Sequence, residues 1–281
     1  MNGAALTVRA MTPDDLDLVI EWAAAEGWNP GLADAAAFRS VDPAGLLVGV
    51  LDGRPVSSVS VVRYPGGFAF LGFYIVRPEH RGNGHGLATW RAGMAHGRDC
   101  NIGLDGVVAQ QDNYRRSGFR LAHRNVRHCG TAAADMPADP GLVPLADIAP
   151  DRLQAYDRGC FPAERRAFLR VWAAAPRRGY ALVRDGELRG YGVVRACRQG
   201  SKIGPLFADD RRGGELLFRA LAAAAPAQPL SIDLPEPNAE ARRLVEGWGM
   251  APVFETARMY TGADPGLPLG RVYGITTFEL G

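Results

Sequence analysis

Apolar positions along this chain recur with two periods, and each change of period marks a new element. Leu16, Val19, Ile20 and Ala23 fall at helical spacing and predict a helix over Pro13–Ala25. Thr12-Pro13-Asp14-Asp15 starts it with a capping hydroxyl, a proline at the first helical position and acidic residues in the first turn. Gly27, Asn29, Pro30 and Gly31 then break it, and a second short helix is predicted over 33–40. Leu46–Leu51 and 56–64 are rich in β-branched and apolar residues and flank Asp52-Gly53, a hairpin signature. After the turn Pro65-Gly66-Gly67, Phe68–Val76 makes a third long strand of an antiparallel meander. Helical spacing returns over 86–95, Val107-Val108 closes a fifth strand, and Tyr114 sits on a short helix ending at Ser117. A final strand pair is expected around 119–127.

Apolar periodicity disappears over 130–140, where Ala, Asp, Pro and Gly predominate, so residues 131–140 read as a linker between domains 1–130 and 141–281. Beyond it the order repeats in outline: a strand at 142–145, helices within 150–175, and a hairpin of 180–184 and 188–195 turning at Asp185-Gly186. A short strand before Pro205, a helix over 214–224, a strand over 230–234 and a helix over 239–247 complete the second copy. The architecture repeats while the sequence hardly does.

At 281 residues, each half is long enough for its own core, and 47% hydrophobic with 22% charged residues is an ordinary globular composition. Net charge is +2, and the basic residues, all arginine except Lys202, form no sustained block, so DNA binding has no compositional support. Cys100, Cys129, Cys160 and Cys197 are scattered, without a CxxC pair or a histidine at ligand spacing; reduced thiols and no metal site are expected. No signal-peptide pattern opens the chain, and no apolar run reaches the ~18 residues of a membrane span. The expected location is cytoplasmic.

The stretch that carries chemistry is Arg81-Gly82-Asn83-Gly84-His85-Gly86, placed between a predicted strand and a predicted helix. Glycines permit positive φ and close backbone approach, and the opening turn of a helix leaves several N–H groups without partners. A pyrophosphate satisfies those groups and gains from the helix dipole, with Arg81 nearby. A Rossmann loop fits less well, because the preceding strands are hairpin-linked and no ribose-binding acid stands out. The Gly-Lys-Ser/Thr of a Walker loop is missing.

With the preceding Val76-Arg77-Pro78-Glu79-His80, this arrangement resembles the acetyl-CoA-binding motif of the GNAT N-acetyltransferase superfamily. Asn113-Tyr114-Arg115-Arg116-Ser117-Gly118-Phe119 resembles that family's Tyr-x-basic-x-Gly-Phe segment. Further likeness to a bacterial tandem GNAT group lies in Glu26 to Gly31, Leu104 to Tyr114, Arg258-Met259-Tyr260 and the terminal Phe278-Glu279-Leu280-Gly281. The resemblance implies an α+β protein of two tandem GNAT domains, each a mixed, mostly antiparallel central sheet flanked by helices. It implies acetyl-CoA or another acyl-CoA as co-substrate, held by Arg81, Gly82, Asn83, Gly84, His85, Gly86 and Asn113. Main-chain groups of Ile75 and Val76 would meet the pantetheine arm through a strand splay.

By the same resemblance Tyr114 stands beside the thioester sulfur, where a phenol can protonate the departing thiolate. The alternative is a tyrosine that packs a helix on the sheet. Glu26 is the candidate general base, unless it is simply a solvated residue at a helix end. Trp28 and Asn29 are candidates for contacting the acceptor, the alternative being a loop packed on the sheet. His80 and His85 flank the phosphate loop and are either near phosphate or ordinary surface residues. Tyr260 and Tyr273 either reach the cleft or belong to the core. In the second copy, Asp209-Asp210-Arg211-Arg212-Gly213-Gly214 lacks Gly-x-Gly spacing and sets two carboxylates where a phosphate would lie, so no CoA is expected there.

The predicted activity is direct transfer of an acyl group from acyl-CoA to an amine of a small molecule. A donor borne by an acyl carrier protein or an aminoacyl-tRNA would use the same cleft. A non-catalytic acyl-CoA sensor is the third reading.

Overall fold

A computed structural model describes residues 5–281. The first half runs β1 (Thr7–Ala10), α1 (Pro13–Ala25), α2 (Asp34–Arg39), β2 (Leu46–Leu51), β3 (Arg54–Tyr64), β4 (Phe68–Val76), α3 (His85–His96), β5 (Asn101–Val107), α4 (Gln111–Arg116) and β6 (Arg120–Gly130). The second runs β7 (Leu142–Pro144), α5 (Pro150–Asp157), α6 (Arg166–Trp172), β8 (Arg178–Arg184), β9 (Glu187–Ala196), β10 (Ser201–Ala208), α7 (Arg211–Ala224), β11 (Leu230–Pro235), α8 (Ala239–Gly247), β12 (Ala251–Tyr260) and β13 (Val272–Gly274). The cap at Thr12 forms as its sequence implies: Thr12 N–H donates to Asp15 Oδ2 at 2.8 Å and Asp15 N–H returns a bond to Thr12 Oγ1 at 3.2 Å. None of the helices in the described residues is long and apolar enough to cross a membrane.

The 13 strands of the described residues join one sheet, in the order β1-β2-β3-β4-β5-β12-β6-β11-β10-β9-β8-β7, with β13 paired to β10. Among the described residues only β4 with β5 and β10 with β11 pair in parallel. Counted inward from either end, the order is the same in both halves, so β6 and β12 are counterparts and each lies inside the other half's sheet. The expected strand pair over 119–127 is therefore a single strand, and β12, from more than a hundred residues downstream, takes the place beside it. The segment between β6 and β7 has no regular structure.

Two buried ion pairs bolt the exchanged strands. From β12, Arg258 forks onto Asp105 of β5 at 2.7 and 2.6 Å, and from β6, Arg127 forks onto Asp233 of β11 at 2.6 and 2.9 Å. Each arginine stands on one half and each aspartate on the other. Apolar contacts continue across the same boundary, where Phe38 of α2 stacks on Trp172 of α6 at 6.3 Å and Tyr64 of β3 meets Phe161 at 5.1 Å. The terminal segment is drawn into this shared core: Leu280 is fully buried and its carbonyl accepts a bond from the Tyr64 hydroxyl at 3.0 Å.

Replacing Arg258 by methionine leaves Asp105 charged, buried and without its fork. A loss of about 3–5 kcal/mol is expected for such an uncompensated charge. Urea unfolding of Arg258→Met should show it as a lower midpoint; a wild-type midpoint would contradict the role given to the pair.

Candidate active site

The site begins with a defect in the pairing of β3 and β4. Ser58 opposes Ile75 and Ser60 opposes Gly72, so Phe73 and Tyr74 share the place opposite Val59 as a β-bulge. Phe73 there has φ of 46°, in the left-handed region that a bulky side chain rarely enters. Its carbonyl is held by the Ser58 hydroxyl at 2.7 Å, and its ring is buried against Phe38 at 5.5 Å. A bulge bends its strand, and β4 pairs with β5 only from Phe68 to Leu71 before the two diverge. On its other edge β5 pairs with β12, from Gly103 to Val107. The divergence opens a cavity of about 440 Å³ and exposes main-chain groups of β4, Ile75 and Val76 among its lining residues.

At one end of this opening lies the glycine loop. Gly82 and Gly84 have φ of 82° and 80°, and Gly84 is the N-cap of α3 with no side chain to satisfy the first turn. The N–H groups at the start of α3 thus meet solvent at the positive end of a helix dipole. Gly86 serves packing: a Cβ there would lie 2.7 Å from Val76 Cγ2 and 2.8 Å from the Tyr74 hydroxyl. Asn83 and His85 belong to the same loop, with the rings of His80 and His85 6.1 Å apart. Arg81 lines the cavity, but its guanidinium donates to the Val76 carbonyl at 2.9 Å and to Glu26 Oε1 at 2.5 Å.

Tyr114 lines the cavity from α4. Its ring stacks on Trp90 of α3 at 5.8 Å and lies so close on β5 that a Cβ at Gly106 would be 2.1 Å from its Cε2. Glycine at 106 is what admits the ring. Its hydroxyl forms no hydrogen bond with the described residues; burial, with Tyr74 adding, pushes its pKa up to about 12. The phenol is therefore fully protonated across the neutral range, and its proton is uncommitted.

The other candidates divide. Glu26 and Trp28 line the cavity, and the Trp28 carbonyl is fixed by Arg127 at 2.9 Å and Lys202 at 3.2 Å. Asn29 points away and clamps the second half, exchanging bonds with the main chain of Gln199 at 2.8 and 3.0 Å. Asn113 is exposed and bonded to Arg116 on its own helix and to Gln110 just before it. Tyr260 and Tyr273 are core residues. Sequence reasoning missed the far wall: Phe254 and Thr256 of β12, with Phe278 and Glu279 of the terminal segment, line the cavity as well. The local pattern around them holds no sign that they cross into the other half.

The corresponding place in the second half is filled. Strand β10 pairs with β11 only from Ser201 to Ile203, and β13 then pairs with β10 at Leu206 and Phe207. At the start of α7, Asp210 Oδ1 accepts the Gly213 N–H at 2.8 Å, so the helix caps itself with a carboxylate. Asp209 is held by Arg271 at 2.7 Å and Tyr156 at 2.9 Å. Tyr273 crowds the first turn, where a Cβ on Gly214 would lie 2.8 Å from its ring.

Known proteins repeat both halves. A model of the acetyltransferase (GNAT) family matches residues 15–119, and a model of an acetyltransferase (GNAT) domain matches residues 153–274. The chain is 30% identical over 277 residues to holothin acyltransferase of Pseudoalteromonas sp. (strain SANK 73390), covering 98% of this chain and 94% of that one. Its fold is shared with a putative acetyltransferase from Pyrococcus horikoshii, with a TM-score of 0.83 and 24% identity over 100% of this chain and 97% of the other. A tandem GNAT protein from the clavulanic acid biosynthesis pathway superposes with a TM-score of 0.61 and 16% identity, covering 92% of this chain and 100% of that one. With an acetyltransferase match in each half and an acyltransferase relative along nearly its whole length, this chain belongs to the GNAT family as a tandem acyltransferase.

Proposed function

We propose that the first half transfers an acyl group from acyl-CoA to an amine of a small molecule, directly and without a covalent enzyme intermediate. The observation that carries this reading is the parting of β4 from β5, whose cavity is lined by Arg81, just before the open N-terminus of α3, and by Tyr114. A diphosphate fits that N-terminus, through N–H groups of residues 84–86 and the helix dipole. An extended pantetheine arm fits the unpaired edge of β4, as an added strand would. Its thioester sulfur would then lie near Tyr114.

In this reading residues 1–130 form the catalytic unit, 131–140 the linker and 141–281 a copy that no longer holds CoA. The self-capped α7 and the β13 insertion support the last point, because both features occupy what the donor needs. Arg81 joins donor loop to acceptor side through Glu26, and the approach of a phosphate would draw the guanidinium from that exposed carboxylate. Tyr114 protonates the leaving thiolate; a pKa of about 12 makes it a weaker acid than the thiol it serves, so the proton stays on the product sulfur. Trp28, Phe73, Phe254 and Phe278 give the acceptor an aromatic enclosure. Such walls suit a compact, flat molecule, and holothin, which the named relative acylates, is the first acceptor to try.

Calorimetric titration with acetyl-CoA should give one site per chain, abolished in Gly84→Glu, where a carboxylate would project toward the phosphate position. Two sites, or unchanged binding in the variant, would contradict the assignment; no binding at all would favour a donor borne on a carrier protein or an aminoacyl-tRNA. Thiol release from acetyl-CoA in the presence of holothin and a panel of aromatic amines then tests turnover, and binding without turnover would favour a sensor. For Tyr114→Phe, kcat should fall roughly 100-fold, the scale of a lost general acid, while acetyl-CoA affinity stays near that of wild type. Full activity in that variant would make Tyr114 a packing residue.

A further inference from the structure

Resting on the acyl-transfer reading, we propose that Glu279, carried into the first half's cavity by the second half's terminal segment, is the general base that takes a proton from the acceptor amine.

The buried carboxylates can be compared one by one. Asp34 is held by Arg195 at 3.1 Å and Arg177 at 3.5 Å, and Asp105 by Arg258 and by Asn125 at 2.7 Å. Asp157 is forked by Arg165 at 2.9 and 2.7 Å and also accepts from Tyr191, while Asp233 is forked by Arg127. Asp15 is committed to Arg9 and to the cap of α1. Glu279 is 4% exposed, lines the cavity, and its carboxylate makes no hydrogen bond or ion pair with the described residues. A buried carboxylate facing a cavity without a partner is costly to the fold, and its natural complement is a proton donor from the ligand. Glu26 offers less: it is paired with Arg81, and its side chain is 35% exposed.

The segment that presents Glu279 is held at several points. The hydroxyl of Thr277 accepts from the main chain of Glu279 at 3.2 Å and of Leu280 at 2.9 Å, and Gly281 N–H donates to the Thr277 carbonyl at 3.2 Å. Gly72 of β4 lies directly beneath, where any Cβ would come within 2.3 Å of the Glu279 carbonyl. Charged groups facing Glu279 come from four elements: Lys202 of β10, Asp34 of α2, Arg195 of β9 and Arg127 of β6. Burial, with Asp34 adding, outweighs the three cations and raises the Glu279 pKa above its ordinary value, toward the range where a general base works best.

The proton balance closes with these two side chains. An acceptor bound as an ammonium loses one proton to Glu279, and the freed lone pair forms the C–N bond to the thioester carbonyl. The C–S bond breaks with its electron pair leaving on sulfur, which takes the phenolic proton of Tyr114. Tyr114 regains a proton from the second N–H lost as the amide forms. Glu279 then releases its proton to water. The sum is ammonium and thioester giving amide, free thiol and one proton.

The test uses the full chain with acetyl-CoA and holothin at saturation. Because the base must be ionised, wild-type kcat should fall as pH drops through the raised Glu279 pKa, giving an acid limb above the ordinary glutamate value of about 4.3. Glu279→Gln should bind acetyl-CoA like wild type, lose kcat roughly 100-fold and lose that limb, while Glu279→Asp recovers part of the rate. Wild-type turnover in Glu279→Gln, or a wild-type profile flat down to pH ~4.5, would overturn the inference alone. A wild-type enzyme without turnover of acetyl-CoA on any amine would overturn the acyl-transfer reading and this inference with it. Since the wild-type profile needs no variant, the result does not hinge on how well Glu279→Gln folds.

Discussion

The antiparallel pairing of β6 with β12 is the constraint on which the rest of the molecule depends. Each strand belongs by sequence to one half and by hydrogen bonding to the other, so neither half can complete its own sheet. The Arg258–Asp105 and Arg127–Asp233 forks repeat this exchange in charge. A buried pair is weak evidence for stability by itself, but it penalises every register that leaves a charge unmatched. Here both forks are satisfied only when the two halves are docked in one way.

From this one arrangement the asymmetry of the site follows. The sheet parts in both halves after a short parallel pairing, β4 from β5 and β10 from β11. In the second half the chain fills the gap with β13 and then continues across the boundary, so that the segment that closes one cleft walls the other. The aromatic enclosure and Glu279 are thus consequences of where the tail must go after β13. A bulge at Phe73, a glycine at 106 under Tyr114 and an uncapped α3 supply the remaining features from the first half alone.

Much of the fold was legible because it is written locally. Pro13–Ala25, Leu46–Leu51, Phe68–Val76 and Ala239–Gly247 stand at the bounds that caps, turn glycines and apolar spacing predict. The glycine loop could be placed between strand and helix for the same reason, and the GNAT likeness read from it agrees with the family matches. Long-range information was not legible. Strand β12 carries Pro252, Glu255 and Arg258 in a run with little alternation, and its stability comes from two neighbours in another half and from Asp105. Glu279 could be quoted from the sequence as part of a terminal motif, but only the course of the tail from β13 to β4 brings it to the cavity. Asn29 shows the converse: its place after α1 suggested the acceptor, whereas its side chain serves the contact with Gln199.

If the exchanged strands make the two halves one cooperative body, native-state hydrogen exchange should reveal it most directly. Amides of β5, β6, β11 and β12 should share the highest protection and respond to denaturant with a single slope, that of global unfolding. Separate free energies for the strands of the first half and of the second would contradict the account, because they would mean that each half unfolds while the other keeps its sheet.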